Sequence, residues 1–558
     1  VAQEKNIQNL SLSGLLISLG IIYGDIGTSP LYVFKAIVGR NPVSELLILG
    51  GVSCIFWTLT MQTTIKYVII TLRADNKGEG GIFSLFSLVR KRAAWLIIPA
   101  VIGGCALLAD GIITPPITIS SAIEGLRIFD THLQTVPIVI GIMVALFVIQ
   151  QFGTSLVGKA FGPIMFIWFT MMGVLGIVFV FQMPSILRAL NPYYAIKLLT
   201  SNKEAFVILG AVFLCTTGAE ALYSDLGHCG RANIRISWAY VKSCLVINYL
   251  GQAVWLLQHK GKVMNLDLHN PFYELMPGWF LIYGIVIATI AAIIASQALI
   301  SGSFTLITEA VRLNLWPKVR INYPSVQKGQ MYVPSVNWLL GAGCIGVVLL
   351  FKHSDNMEAA YGLSITVAML MTTVLVSNFL LEKKLPAYLV TLFLVVYLFI
   401  ELTFLASNLV KFIHGGWFTL SVGLVLFLIM WIWHTARKVR DRYIKYVDVK
   451  EYFDIIEELS RDETVPKYAS QLVYLTSSEA DEEIESKIIY SILQKQPKRA
   501  DVYWLIHVDV VDEPYTRDYH VNFLIPDKLI RIDFKLGFRI EQRISYLFRS
   551  VVEELVKN

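Results

Sequence analysis

Charge is what this 558-residue chain has least of: 16% of its residues are Asp, Glu, Lys or Arg, against a hydrophobic share of 55%. Soluble domains carry about a quarter charged residues, so a wholly soluble protein is excluded. Cysteine is scarce as well. Cys54, Cys105, Cys215, Cys229, Cys244 and Cys344 are scattered, mostly inside apolar runs, with no CxxC pair among them. That pattern indicates neither a disulfide frame nor a zinc site, and small buried side chains are the role that fits it. No cluster of His and Cys appears, which argues against transition metals. Nor is there a glycine-rich phosphate loop, or a grouping of nucleophile and base. Nothing reads as an enzyme or asks for a cofactor.

What the chain has is apolar runs, recurring from residue 10 to residue 434. Windows of about 20 residues place spans near 12–36, 44–72, 95–123, 134–153, 160–182, 205–224, 237–258, 273–300, 335–351, 357–380, 386–407 and 416–434. The expectation is an all-α polytopic protein embedded in a lipid bilayer, with about twelve helices over residues 1–434. With the N-terminus inside, roughly 14 Lys and Arg fall in inner connections and roughly 10 in outer ones. The cluster Arg437, Lys438, Arg440 and Arg442 points the same way. Both termini are therefore expected in the cytoplasm, and the protein in the plasma membrane.

From about residue 435 the character changes: charges become dense and nearly balanced, and apolar residues alternate in short runs. Residues 437–460 read as a charged helix leaving the membrane. Residues 471–475, 501–508 and 529–534 read as strands, and 482–494 and 541–556 as helices. Strands alternating with helices argue for a small cytoplasmic α/β domain over 435–558. Near-neutral charge implies no nucleic-acid partner. A regulatory or dimerisation role is expected, with a small molecule or nucleotide as the regulator and a homodimer as the assembly.

The most informative residues are polar ones inside the apolar runs. Asp25 sits mid-span between Gly24 and Gly27, with Pro30 following. A mid-membrane Asp costs about 2.5–3.5 kcal/mol on insertion scales. Glycines and a proline weaken the helix around it, freeing carbonyl oxygens that are tolerated at that depth only where they line protein or a cavity. Tyr32 lies seven residues on, on the same helical face. In the third span Asp110, Thr114 and Thr118 share a face at successive spacings of four, and Pro115 and Pro116 should loosen the backbone. The sixth span carries Thr216, Thr217, Gly218 and Glu220. Interrupted segments in spans one and six, corresponding positions of two inverted halves of about five helices, point to a transporter's substrate site. Tyr361 begins the tenth span beside Gly362, where an interfacial anchor is as natural a reading as a site residue. Glu401 is a further buried acid, in span eleven.

Every group in this set is oxygen: carboxylates, hydroxyls, a phenol and freed carbonyls. Such hard shells suit dehydrated alkali cations, and several buried acids with few buried bases also fit proton relays. A channel built on the same oxygens stays open as an alternative. Amino-acid uptake fits less well, because Asp25 in the first break would repel a substrate carboxylate.

Five segments in order resemble the KUP/HAK/KT family of potassium uptake permeases: Tyr23 to Tyr32, Arg73 to Gly81, Glu220 to His228, Asn270-Pro271-Phe272 and Ile294 to Ala298. The resemblance runs through the membrane region and into the tail. It implies a LeuT/APC-like fold with a 5+5 inverted repeat, and K⁺ uptake coupled to H⁺, a K⁺/H⁺ symport by alternating access. By matching segments, Asp25, Tyr32, Asp110, Thr114, Thr118, Thr217, Glu220 and Tyr361 would line the path of K⁺ and H⁺. Against the family's pattern, position 110 is Asp where some relatives have Glu, 118 is Thr where Ser is common, and 401 is Glu where Asp occurs. Each swap keeps the carboxylate or the hydroxyl.

Overall fold

Ser11 and Ser44 open the first two apolar runs. Ser11 Oγ accepts the Gly14 amide at 3.0 Å and Ser44 Oγ the Leu47 amide at 3.2 Å, each satisfying a donor that the first turn of a helix leaves unpaired. The computed structural model describes residues 10–39, 41–76, 79–152, 155–202, 204–266, 268–323, 331–478, 480–511, 516–537 and 543–557. In it the first run is not one helix. It is helical over Leu12–Ile21, restarts over Gly24–Thr28, tightens to a 3-10 turn over Ser29–Leu31 and resumes over Val33–Val38. The axis bends by 68° between Leu12–Ile21 and Gly24–Leu31.

Among the described residues ten helices are long and apolar enough to cross a membrane, or eleven with the bent pair as one span. They are Glu45–Arg73, Ala94–Ile128, Thr135–Phe152, Ala160–Gln182, Ala205–Ser224, Leu281–Arg312, Pro334–Phe351, Ser354–Glu382, Ala387–Val410 and Gly416–Arg440. The seventh expected span falls in helix Arg231–Gln258, which is long enough but is diluted by Lys242, Asn248 and Gln252. The span Ala94–Ile128 is mostly enclosed by its neighbours, whereas the last two expose most of their surface. Leu392, Val395, Phe399 and Leu402 make an exposed apolar stripe on Ala387–Val410, the surface a helix turns to lipid.

Three of these segments depart from regular α-helix. Ala205–Ser224 breaks over Leu214–Thr216, and Gly218 takes a left-handed conformation (φ +81°) before Ala219–Ser224 resumes. Glu45–Arg73 widens to a π-helix over Leu59–Ile70. The third departure is the first run itself. The two prolines of the third span, by contrast, break nothing: Ile97–Glu124 is continuous through Pro115 and Pro116. Proline still removes an amide donor. The Gly111 carbonyl, which Pro115 leaves without its helical partner, is met instead by the Cys344 thiol at 3.8 Å. All six cysteines are free and buried.

The chain divides into two compact units, one ending at Trp433 and one beginning at His434. In the second, strands β1 (Tyr446–Asp448), β2 (Lys467–Leu475), β3 (Glu483–Glu485), β4 (Arg499–Val511), β5 (Arg517–Ile525) and β6 (Leu529–Gly537) form two sheets. The larger has the order β2-β4-β6-β5, with β2, β4 and β6 parallel and β5 antiparallel at the edge. Helices Phe453–Arg461, Ser486–Leu493 and Ile544–Lys557 accompany them. Two expectations fail: the helix expected over 482–494 is strand β3 over Glu483–Glu485 followed by helix Ser486–Leu493, and residues 437–460 are not a single helix. The last membrane helix stops at Tyr443, because Tyr446–Asp448 pairs antiparallel with Glu483–Glu485. Asp448 Oδ1 then accepts the Lys450 amide at 2.9 Å before Phe453–Arg461 begins. Strand β5 is an addition: its mostly exposed edge position leaves little apolar alternation to read.

Candidate functional site

The two broken segments meet. A β-carbon on Gly218 would lie 2.8 Å from the Ile26 nitrogen and 2.9 Å from Asp25 Cβ, so only glycine allows the second break to rest on the first. Ser29 Oγ stands 3.1 Å from Thr217 Oγ1, and the Tyr32 phenol is 3.4 Å from both. The Tyr361 phenol, fully buried, donates to Asp25 Oδ1 at 2.8 Å, and its ring meets Tyr32 edge-on at 6.3 Å. An interfacial anchor does not fit a side chain enclosed in this way. Asp25 Oδ2 is buried without a hydrogen-bond partner.

The carbonyls freed by the first break are already engaged. Gly27 O accepts from Trp168 Nε1 at 3.0 Å, Pro30 O from Gln252 Nε2 at 3.1 Å and Leu31 O from Asn270 Nδ2 at 2.8 Å. Buried carbonyls must find donors, and in this conformation these side chains supply them. Thr114 Oγ1 donates to Asp110 Oδ1 at 3.0 Å, while Thr118 Oγ1, a turn further on, is buried and unpartnered.

Asp25, Asp110 and Glu220 line one cavity of about 70 Å³, together with Ser303, Ser224 and Asp225. Four carboxylates, Glu220 and Asp225 from one segment and Asp25 and Asp110 from two others, thus face a space that several water molecules would fill. Tyr32, Thr114, Thr118, Thr217 and Tyr361 do not line it; they lie behind Asp25 and Asp110, bonded to them or to one another, except Thr118.

Two of the resembling segments are Arg73 to Gly81 and Glu220 to His228. The structure brings their described residues together: Tyr223 donates to Ala74 O at 2.6 Å, and a β-carbon on Gly80 would collide with the Tyr223 carbonyl at 1.9 Å. Lys77 and Gly78 lie outside the described residues. Ala295, from the fifth of the resembling segments, packs directly on Gly24. The start of Ser354–Glu382, two turns before Tyr361, is pinned as well. Glu124 accepts the Ser354 amide at 2.9 Å and its hydroxyl at 2.5 Å. Lys35 pairs with Asp355 at 2.7 Å.

Sequence reasoning passed over Ser29, Lys66, Tyr67 and Thr372. Tyr67 donates to Glu220 Oε1, and Thr372 to Glu220 Oε2 at 3.3 Å. Lys66 pairs with Glu401, both fully buried. The signal for Lys66 was present, since an ionisable residue inside a span is a site hypothesis by default. Tyr67 and Thr372 gave no signal, because their partner is distant in sequence.

Comparison with known proteins gives this geometry its family. The model of the K⁺ potassium transporter integral membrane domain matches residues 12–438, and that of the K⁺ potassium transporter C-terminal domain matches 469–558. The probable potassium transport system protein Kup of Cytophaga hutchinsonii is 61% identical over 566 residues, covering 100% of this chain and 86% of its own length. Its counterpart in Flavobacterium johnsoniae is 56% identical over 564 residues, with the same coverage of 100% and 86%. That of Clostridium perfringens strain SM101 is 51% identical, covering 100% and 87%. A crystal structure of a manganese transporter from Eremococcus coleocola, in complex with an aromatic bis-isothiourea substituted compound, aligns at a TM-score of 0.41 and 12% identity over 78% of this chain and 95% of its own. With a matching model over most of its length and relatives above half identity, the chain belongs to the K⁺ potassium transporter family, as a multi-pass membrane protein with an α/β domain at its C-terminal end.

Proposed function

We propose that the protein takes up K⁺ across the plasma membrane together with H⁺, a symport by alternating access. One observation carries the reading: Asp25, Asp110 and Glu220 converge on one cavity where two broken helices abut. A dehydrated K⁺ needs oxygen ligands in place of water. Asp25 Oδ2 and Thr118 Oγ1 are buried oxygens without partners; the hydroxyls of Tyr32 and Thr114 belong to the same two segments, and that of Thr217 to the break that abuts Asp25. Asp110 and Glu220 are the carboxylates proposed to carry the proton. Tyr361 closes the site from the far side of Asp25 and is the lid of this reading.

The same proposal includes two inverted five-helix halves, each contributing one broken segment, as transporters with a midplane site are built. The basic residues after the last span support a cytoplasmic position for both termini. The α/β unit is proposed to mediate homodimerisation and to bind a small-molecule or nucleotide regulator.

The test is Rb⁺ uptake into proteoliposomes with and without an inward proton gradient, for the wild type and Asp25→Asn. Uphill uptake that needs the gradient and is lost in the variant is the expected result. Uptake that merely equilibrates, at a rate indifferent to the gradient, would replace the symporter with a K⁺ channel or uniporter on the same oxygens.

A further inference from the structure

Both oxygens of the Glu220 carboxylate are held by hydroxyl donors from other elements. Tyr67, on the π-helical stretch Leu59–Ile70, donates to Oε1. Thr372, on Ser354–Glu382, lies 3.3 Å from Oε2. Next to Tyr67 in sequence, Lys66 donates to the Met369 carbonyl at 2.9 Å and pairs with Glu401. Its ammonium also stands 4.8 Å from the Tyr67 ring centre. Thr373 completes the Glu401 carboxylate at 2.8 Å.

We infer that Tyr67 and Lys66 are positioning residues for Glu220, fixing which of its oxygens takes the proton. The inference rests on the symport reading above and specifies its proton site. A buried ammonium without a counter-charge is costly, and so is a buried carboxylate. Lys66 and Glu401 close on each other, so the groups that hold Glu220 directly are neutral hydroxyls, and the Lys66 charge acts on it only through space. The two donors are unequal. Tyr67, the hydrogen-bond donor to Oε1, keeps that oxygen an acceptor. Both hydroxyls could accept by rotating, but a phenol is the more acidic and better donor to a carboxylate, whereas the Thr372 hydroxyl, at 3.3 Å, makes the looser bond and turns more readily. A proton arriving at Glu220 therefore settles on Oε2, with Thr372 turning from donor to acceptor, and leaves by the same atom.

The π-helix is what makes this arrangement. Thr64 Oγ1 bonds back to Leu59 O at 3.2 Å and Thr71 Oγ1 to Lys66 O at 2.8 Å, both five residues back. The wider turn lets consecutive residues, Lys66 and Tyr67, both point inward, and both are fully buried. Such π-segments occur disproportionately at functional sites. The charged and titratable groups that act on or with Glu220 are Lys66 and Tyr67 from the π-stretch, Glu401 from Ala387–Val410, Asp110 from Ile97–Glu124 and Tyr223 from its own helix.

The experiment compares wild type, Tyr67→Phe, Lys66→Gln and Lys66→Gln/Glu401→Gln in proteoliposomes, reading Rb⁺ uptake against pH. Infrared spectra of the same samples follow the carboxylic-acid C=O stretch of Glu220, identified by its loss in Glu220→Gln. In Tyr67→Phe the pH profile should shift by about one unit, half-saturating Rb⁺ should stay within about twofold, and the C=O band should move. Lys66→Gln alone should lose uptake about a hundredfold by stranding Glu401, and the double variant should recover most of it with a shifted pH profile. An unmoved band and an unchanged profile in Tyr67→Phe would overturn the inference. So would a double variant as inactive as Lys66→Gln. If wild-type uptake ignores protons altogether, the symport reading falls on that control, while the infrared band still decides whether Tyr67 positions Glu220.

Discussion

Tyr361 and Asp25, separated by 336 positions in the chain, share a 2.8 Å hydrogen bond in the protein interior. The bond ties the broken first segment to the helix Ser354–Glu382, whose start Glu124 and Lys35 pin in turn. Removing the phenolic oxygen with Tyr361→Phe keeps the ring and its packing. Hydrogen bonds to charged groups contribute about 1.5–3 kcal/mol, so Rb⁺ uptake per folded transporter should fall at least about tenfold. Uptake equal to wild type would reduce the bond to packing.

Gly218 carries the junction of the two breaks. Gly218→Ala forces a side chain into a left-handed backbone, at a cost of about 1–2 kcal/mol, and drives Cβ to 2.8 Å from the Ile26 nitrogen. Thermal unfolding in detergent should show a lower midpoint, and the protein that does fold should take up less Rb⁺. Gly346→Ala is the control: nothing lies within 4 Å of its β-carbon. In a helix interior that change should stabilise by about 0.5–1 kcal/mol.

In the α/β unit Arg531 is fully buried and holds the turn after β2. It donates to Ser478 O at 2.8 Å, to Ala480 O, and to Asp533 Oδ1 at 2.9 Å. Arg531→Met removes the donor that serves two carbonyls and the partly exposed Asp533, and losing hydrogen bonds to a charged group typically costs about 1.5–3 kcal/mol. Amide hydrogen exchange on the full chain should show faster exchange in Thr476–Ser478 and in β6. Unchanged exchange there would mean that the turn holds without the guanidinium.

Glu485 in the same unit gives a pH dependence. Burial works to raise its carboxyl, but hydrogen bonds from the Ser477 hydroxyl and amide and from Thr476 outweigh it, leaving it below the ordinary value. A group depressed on folding adds stability that is complete above its unfolded pKa and is lost as pH falls through the folded one. Acidification should therefore loosen the 476–485 segment first, and Glu485→Gln should remove that acid sensitivity. Hydrogen exchange in the full chain at neutral and at acid pH checks both.

How much was legible in the sequence varies from residue to residue. Asp25, Asp110 and Glu220 stood out because an acid inside an apolar run has few explanations, and all three reach the same cavity. The first and second breaks were readable from Gly24, Gly27, Pro30 and Gly218, since those residues weaken or redirect a helix locally. Pro115 and Pro116 misled for the same local reason: the helix kept its course because neighbours, including Cys344, met what the prolines left open. The seventh span shows the limit of counting apolar residues. Asn248 and Gln252 dilute it, yet both are buried, bonded to Met172 O and Pro30 O.

The sequence by itself determined the membrane class of this protein, the appended α/β unit, the family and the acids of the site, because composition, period and local motif are properties of neighbouring residues. Only the tertiary structure decided that Tyr361 belongs with Asp25, Lys66 with Glu401 and Tyr67 with Glu220. Those partners come from separate helices. A buried polar group must find its complement wherever packing brings one within about 3 Å, and no local pattern specifies where in the chain that complement lies.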